Sequence, residues 1–145
     1  MKTHRVYLLL AAAIAAAPLA AEGQVVAPRA LPTAASVRTA SAAAALLRDL
    51  FFKQQYYDGI ALGDTLAKRF TGDSRVKAWH VASVAAAGLS RRADSMTAKI
   101  DSTSRDPWLL AARSFARHNP PIASRSANAE AVRLARRALT LAQGK

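Results

Sequence analysis

From Ser41 onward the apolar positions recur at helical rather than strand spacing. Leu46, Leu47, Leu50 and Phe51 fall at i, i+1, i+4 and i+5 and predict a first helix with one apolar stripe. Tyr56, Ile60, Leu66, Ala67 and Phe70 make the stripe of a second. Gly59 and Gly63 interrupt that segment on a face where a small residue admits a neighbouring helix. Thr71-Gly72-Asp73-Ser74 reads as a turn followed by an N-cap. The third helix, Arg75 to about Ala87, is apolar on more than one side (Val76, Trp79, Val81, Val84), which predicts the most buried helix of the set. Gly88 ends it, and Ser90 is the expected cap of a fourth helix carrying Ala93, Met96 and Ile100. Asp106-Pro107 is a start signal, with Asp at the cap and Pro at the first helical position. The fifth helix runs to about Arg117 and is stopped by Asn119-Pro120-Pro121. A sixth opens at Ser126, with Ala131, Leu134, Ala135, Ala138, Leu141 and Ala142 on one face and Arg133, Arg136 and Arg137 opposite. No alternating run of β-branched residues is bounded by turns, so the expected class is all-α.

The N-terminal residues follow a different pattern. Lys2, His4 and Arg5 precede Val6–Ala17, an apolar run of 12 residues. That is too short for a bilayer, which needs ~20. Pro18 breaks the run, and Ala21-Glu22-Gly23 supplies small-x-small. Residues 1–23 are therefore expected to be a signal peptide, cut after Gly23 or Ala21, and the chain to be periplasmic or secreted from a bacterium. Residues 24–40, with two prolines and no period, read as a flexible linker. Residues 41–145 are the helical domain.

Composition supports helix over sheet. Ala, the best helix former, accounts for 36 of 145 residues, and aromatics are only 6%. The absence of cysteine excludes disulfides, thiolate metal sites and a Cys nucleophile, so stability in an oxidising compartment has to come from packing. Charge is the anomaly. Removing Lys2, Arg5 and Glu22 with the signal leaves 19 basic against 8 acidic residues, or +11. From Pro107 onward, seven basic residues face one acid, Glu130. Such a surface attracts acidic proteins or other polyanions. Nucleic acid is disfavoured by the export signal and by the lack of alternation between basic and aromatic residues along the chain.

Six helices with short connections make three antiparallel hairpins, and small residues recur between them: Gly59, Ala93 and Ala127 stand 34 residues apart. Tyr56-Tyr57-Asp58-Gly59-Ile60-Ala61 with Leu66-Ala67-Lys68-Arg69-Phe70-Thr71-Gly72-Asp73, and then Gly88-Leu89-Ser90-Arg91-Arg92-Ala93, resemble the second helix, exit turn and next small-residue position of a tetratricopeptide repeat. The resemblance covers residues 40–142. It implies a stacked α-solenoid that holds a protein or peptide partner in the cell envelope on a groove lined by the first helix of each pair. Carried over at that step, the register places Arg48 and Phe51 of the first hairpin, Arg75 and Ala82 of the second, and Leu109 and Ala116 of the third near the groove, and Phe52 and Trp79 are further candidates for contact with the partner. The Lys and Asn set of the family's carboxylate clamp is missing. A short array with an uncapped end is also open to self-association. The alternative reading is a basic-surface binder of lipid, lipopolysaccharide or another polyanion through Arg133, Arg136 and Arg137, in peripheral contact with an anionic membrane.

Little points to chemistry. His80 follows Trp79 in the most buried helix with no second His at metal-binding spacing, and His118 stands at a helix end where a cation suits the dipole. Asp94 and Asp101, seven apart, have basic neighbours and read as surface ion pairs. No phosphate loop, nucleophile elbow or calcium loop is present. The expectation is a non-catalytic module with no metal and no cofactor.

Overall fold

A computed structural model describes residues 31–118 and 125–144. All the elements below lie in the unit Pro32–Lys145. The expected signal peptide, residues 1–23, falls outside the described residues, as do residues 24–30 of the expected linker. The described part is all-helical and contains no strand: α1 (Ala40–Phe52), α2 (Tyr56–Arg69), α3 (Ser74–Ala86), α4 (Ser90–Thr97), α5 (Pro107–His118) and α6 (Arg125–Gln143), after a short 3-10 turn at Ala34–Ser36. Within the span read as linker, that turn packs on α2, Val37 is buried in the core, and the Arg69 guanidinium donates to the Ala34 carbonyl at 3.3 Å. The proline-rich segment thus gives way to packed chain before α1 begins.

Side-chain oxygens start the odd-numbered helices. Thr39 Oγ1 accepts from the Ala42 N–H, Asp73 Oδ1 from Arg75 and Val76, and Asp106 Oδ1 from Trp108 and Leu109. Each satisfies backbone donors that have no partner inside the helix. The exits of α1 and α3 share one geometry. After α1, Gln54 takes a left-handed φ of 59°, its N–H bonds the Phe51 carbonyl, and the Gln55 N–H bonds that of Leu50. After α3, Gly88 takes φ 79°, its N–H bonds Ala85, and Leu89 N–H bonds Val84. Both are Schellman closures, and their left-handed residues lie 34 apart. Because Leu89 completes the second closure, it also occupies the cap position of α4. Ser90, expected as the cap, is the first helical residue instead.

α1, α3 and α5 begin at residues 40, 74 and 107, steps of 34 and 33. α2, α4 and α6 begin at 56, 90 and 125, steps of 34 and 35. Each helix packs on the next, and α3 also packs on α1 and α5. Among the described residues no other pair of helices brings its backbones together, and only side chains reach from α2 to α4 and from α1 to α5. α3 is accordingly the hub, with Val76, Ala78 and the run from His80 to Ala85 buried. Its close approach to α2 depends on two glycines. A Cβ on Gly59 would stand 2.7 Å from Ser83 Oγ, and one on Gly63 would fall still closer to the His80 ring.

The interior is a chain of three apolar clusters. One joins Ala43, Ala44, Leu47, Leu66 and Val76 at the α1–α2–α3 contact. The second gathers Ile60, Val81, Val84, Ala93, Ile100, Ala112 and Ala116 around α3. The third sets Leu110 of α5 against Leu134 and Ala138 of α6. At the far end ion pairs close the structure. Arg113 donates to Glu130 at 2.9 Å and to the Ile100 carbonyl, and Arg117 lies 3.5 Å from Asp94 and 3.6 Å from Glu130.

Candidate functional site: an aromatic face across three helices

The aromatic side chains of α1, α3 and α5 meet one another. Phe51 stands at the centre, with ring centroids 5.7 Å from Phe52, 5.6 Å from Tyr56 of α2, 5.6 Å from Trp79 and 6.0 Å from Phe115. Trp79 continues the series, 5.8 Å from Phe52 and 6.1 Å from Trp108. These spacings and inclined geometries are those that favour aromatic pairs. The series is not buried: Phe52 is 51% exposed and Trp108 and Phe115 are each 39% exposed, while Phe51, Tyr56 and Trp79 are half-buried beneath them. Both tryptophans of the chain lie in this one cluster.

The sequence-derived groove residues divide into two groups. Phe51, Phe52 and Trp79 are brought together. Arg48 is exposed, one helical turn before Phe52, and has no ion pair with a described residue. Arg75, one turn before Trp79, is half-exposed and bonds Asp73 through Nη2 at 2.7 Å and Nε at 3.3 Å. Leu109 is not on the face. It packs against the central core cluster, and Ala82 and Ala116 are buried rather than on the groove. In the third hairpin the cause is the step of 33 residues between α3 and α5: a register carried over at 34 falls one residue late, so Trp108 and Phe115 take the surface positions assigned to Leu109 and Ala116. Ala82 is buried because α3 is packed by α1, α2, α4 and α5. The Asp106 cap was the available signal, because it fixes the start of α5 independently of the period. The rings are a surface feature with one apolar layer beneath, a pattern typical of interaction sites.

The alternative basic cluster is only partly assembled. Arg133 and Arg136 are exposed on the outer side of α6, but Arg137 donates to the Thr103 carbonyl at 2.7 Å and so tethers the loop before α5.

One interior polar contact stands apart from both surfaces. His80 of α3 is buried, its Nε2 3.2 Å from Asp64 Oδ1 of α2, and Asp64 in turn pairs with Arg92 of α4. The His–Asp approach is short enough for attraction but too poorly aligned for a hydrogen bond, and His80 Nδ1 has no hydrogen-bond partner among the described residues. Burial pushes the His80 pKa below its usual value. The Asp64 carboxylate opposes that shift and the Arg92 cation adds to it. Asp64 itself sits below the ordinary carboxylate range; burial resists this, while the Arg92 hydrogen bond and the neighbouring His80, Arg92 and Lys68 outweigh it. The group fixes three helices to one another. Among the described residues no three His, Asp or Glu side chains converge as metal ligands, and no helix is long and apolar enough to cross a membrane. No family model matches the chain, and neither a curated protein nor a solved structure shows significant similarity to it.

Proposed function

We propose that this chain is a non-catalytic protein–protein interaction module, built from three tetratricopeptide-like helical hairpins and exported to the cell envelope, that holds a protein or peptide partner on the aromatic face of α1, α3 and α5. The observation that carries the reading is the connected series Phe52–Phe51–Trp79–Trp108, joined to Phe115, spanning the first helix of every pair. Aromatic side chains in a half-exposed cluster supply the rigid anchors on which binding energy concentrates. Support for the repeat reading comes from the start-to-start steps, the matching closures at Gln54 and Gly88, and close backbone packing only between sequence neighbours and successive first helices among the described residues. Export rests on the N-terminal pattern alone.

The rival reading, charge-driven attachment to an anionic surface through α6, draws on the exposure of Arg133 and Arg136. Capture from envelope extract at low and at moderate salt separates the two. The proposal expects a partner retained at moderate salt and lost with the Phe52→Ala/Trp108→Ala variant. Retention that collapses with salt and disappears instead with Arg133→Glu/Arg136→Glu supports the rival, because a counterion-driven contact weakens steeply with ionic strength.

A further inference from the structure

Charge on the aromatic face is one-sided. Of the eight carboxylates among the described residues, Asp49 pairs with Lys53, Asp64 with Arg92, Asp73 with Arg75, and Asp94 and Glu130 with Arg117 and Arg113. Asp101 is engaged by Thr103 and Asp106 caps α5, which leaves Asp58 in the first turn of α2. Asp49 is the only carboxylate on α1, α3 or α5. A basic residue stands one turn before an aromatic one on α1 and α3, Arg48 before Phe52 and Arg75 before Trp79, and the exposed Arg105 lies in the loop that leads into α5, three residues before Trp108. Four residues along a helix is one turn on the same face. Arg48 and Arg105 make no ion pair with a described residue, and Arg75 engages Asp73 through only two of its three nitrogens. The other α5 cations, Arg113 and Arg117, are committed to Glu130 and Asp94.

We infer that the occupant of this face is an extended peptide segment in which Asp or Glu alternates with large apolar side chains, the apolar groups entering between the rings and the carboxylates meeting Arg48 and Arg105, with Arg75 between them. The inference rests on the aromatic face being the binding face. The rings from α1 to α5 are inclined to one another by 52° to 83°. Inclined rings leave wedges that apolar side chains can enter, whereas bases need successive flat platforms, so single-stranded nucleic acid fits less well. Neighbouring helix axes stand about 8–10 Å apart, so α1 to α5 spans about 16–20 Å. That is about five or six residues of extended chain, enough for alternating contacts.

The test is selection of random twelve-residue displayed peptides on the immobilised full chain, subtracting binders retained by Phe52→Ala/Trp108→Ala. Both substituted residues are surface rings, and circular dichroism verifies that the variant stays helical. An enriched pool with net negative charge and recurrent apolar residues is the expected result. A synthetic member of that pool should change the tryptophan emission of the chain and bind about tenfold more weakly to Arg48→Glu, where like charges meet. Enrichment of neutral or basic apolar peptides overturns the inference but leaves the face as the binding site. No enrichment above the subtracted variant overturns both. Binding of oligothymidylate at the affinity of the best peptide replaces the peptide with nucleic acid and overturns the inference.

Discussion

Gly63 and His80 show how little room separates α2 from α3. A side chain at position 63 would enter the space of the imidazole. Gly63→Ala gains helix propensity, about 1 kcal/mol, but overpacking a closed contact costs about 1–3 kcal/mol, and the ring cannot swing away because it is buried. Urea unfolding should therefore find Gly63→Ala less stable, by up to about 2 kcal/mol. Gly72→Ala, where a Cβ meets nothing within 4 Å, should stay within about 0.5 kcal/mol of the parent. His80 also makes stability depend on pH. Its folded pKa lies below the unfolded value of 6.5, chiefly through burial. The unfolded chain then binds the proton more readily than the native one, so stability is complete above pH 6.5 and falls as the pH drops through and below that value. The urea midpoint should decrease from pH 7 toward pH 5, and His80→Gln, which carries no titrating proton, should flatten that slope. An unchanged slope in the variant would remove His80 as its origin.

At the scale of the element, the turns set where the rings end up. The α1 exit places a side-chain-bearing residue, Gln54, in the left-handed region that Gly88 occupies at the α3 exit. A residue with a Cβ pays for that conformation and glycine does not. Gln54→Gly should raise stability by about 0.5–1 kcal/mol, and Gly88→Ala should lower it by about 1 kcal/mol or more, both read from thermal unfolding. The same pair explains how far the helices could be read in advance. Gly88 announced its turn by residue type, whereas Gln54 holds the equivalent position without the residue that marks it. α3 was legible as the most buried helix because apolar residues surround it, and Gly59 and Gly63 as close-approach points because they interrupt an apolar stripe. The face of α5 was not legible from a fixed period, because its step is one residue short. A shift of one residue turns a helix by about 100°, enough to exchange Leu109 for Trp108.

For the molecule as a whole, three small clusters take the place of one large core, and each hairpin leans on the next through α3 or α5. Aromatic side chains that would fill the middle of a globular domain of this size lie instead along one open side. That arrangement ties Phe51 and Phe52 at the end of α1 to Trp79 in α3 and to Trp108 and Phe115 in α5. Only folding brings them together, so the composition, with few aromatics spread thinly, gives no hint of it. The most direct measurement is photocrosslinking from a benzophenone amino acid placed singly at position 52, 108, 57 or 136 in cells that produce the chain. Tyr57 and Arg136 are as open to solvent as the rings but lie off the face, on α2 and α6. A shared adduct from positions 52 and 108 that is absent from 57 and 136 is the expected result. Adducts confined to 136, or equal at all four positions, would contradict the assignment of the aromatic side as the surface this protein works with.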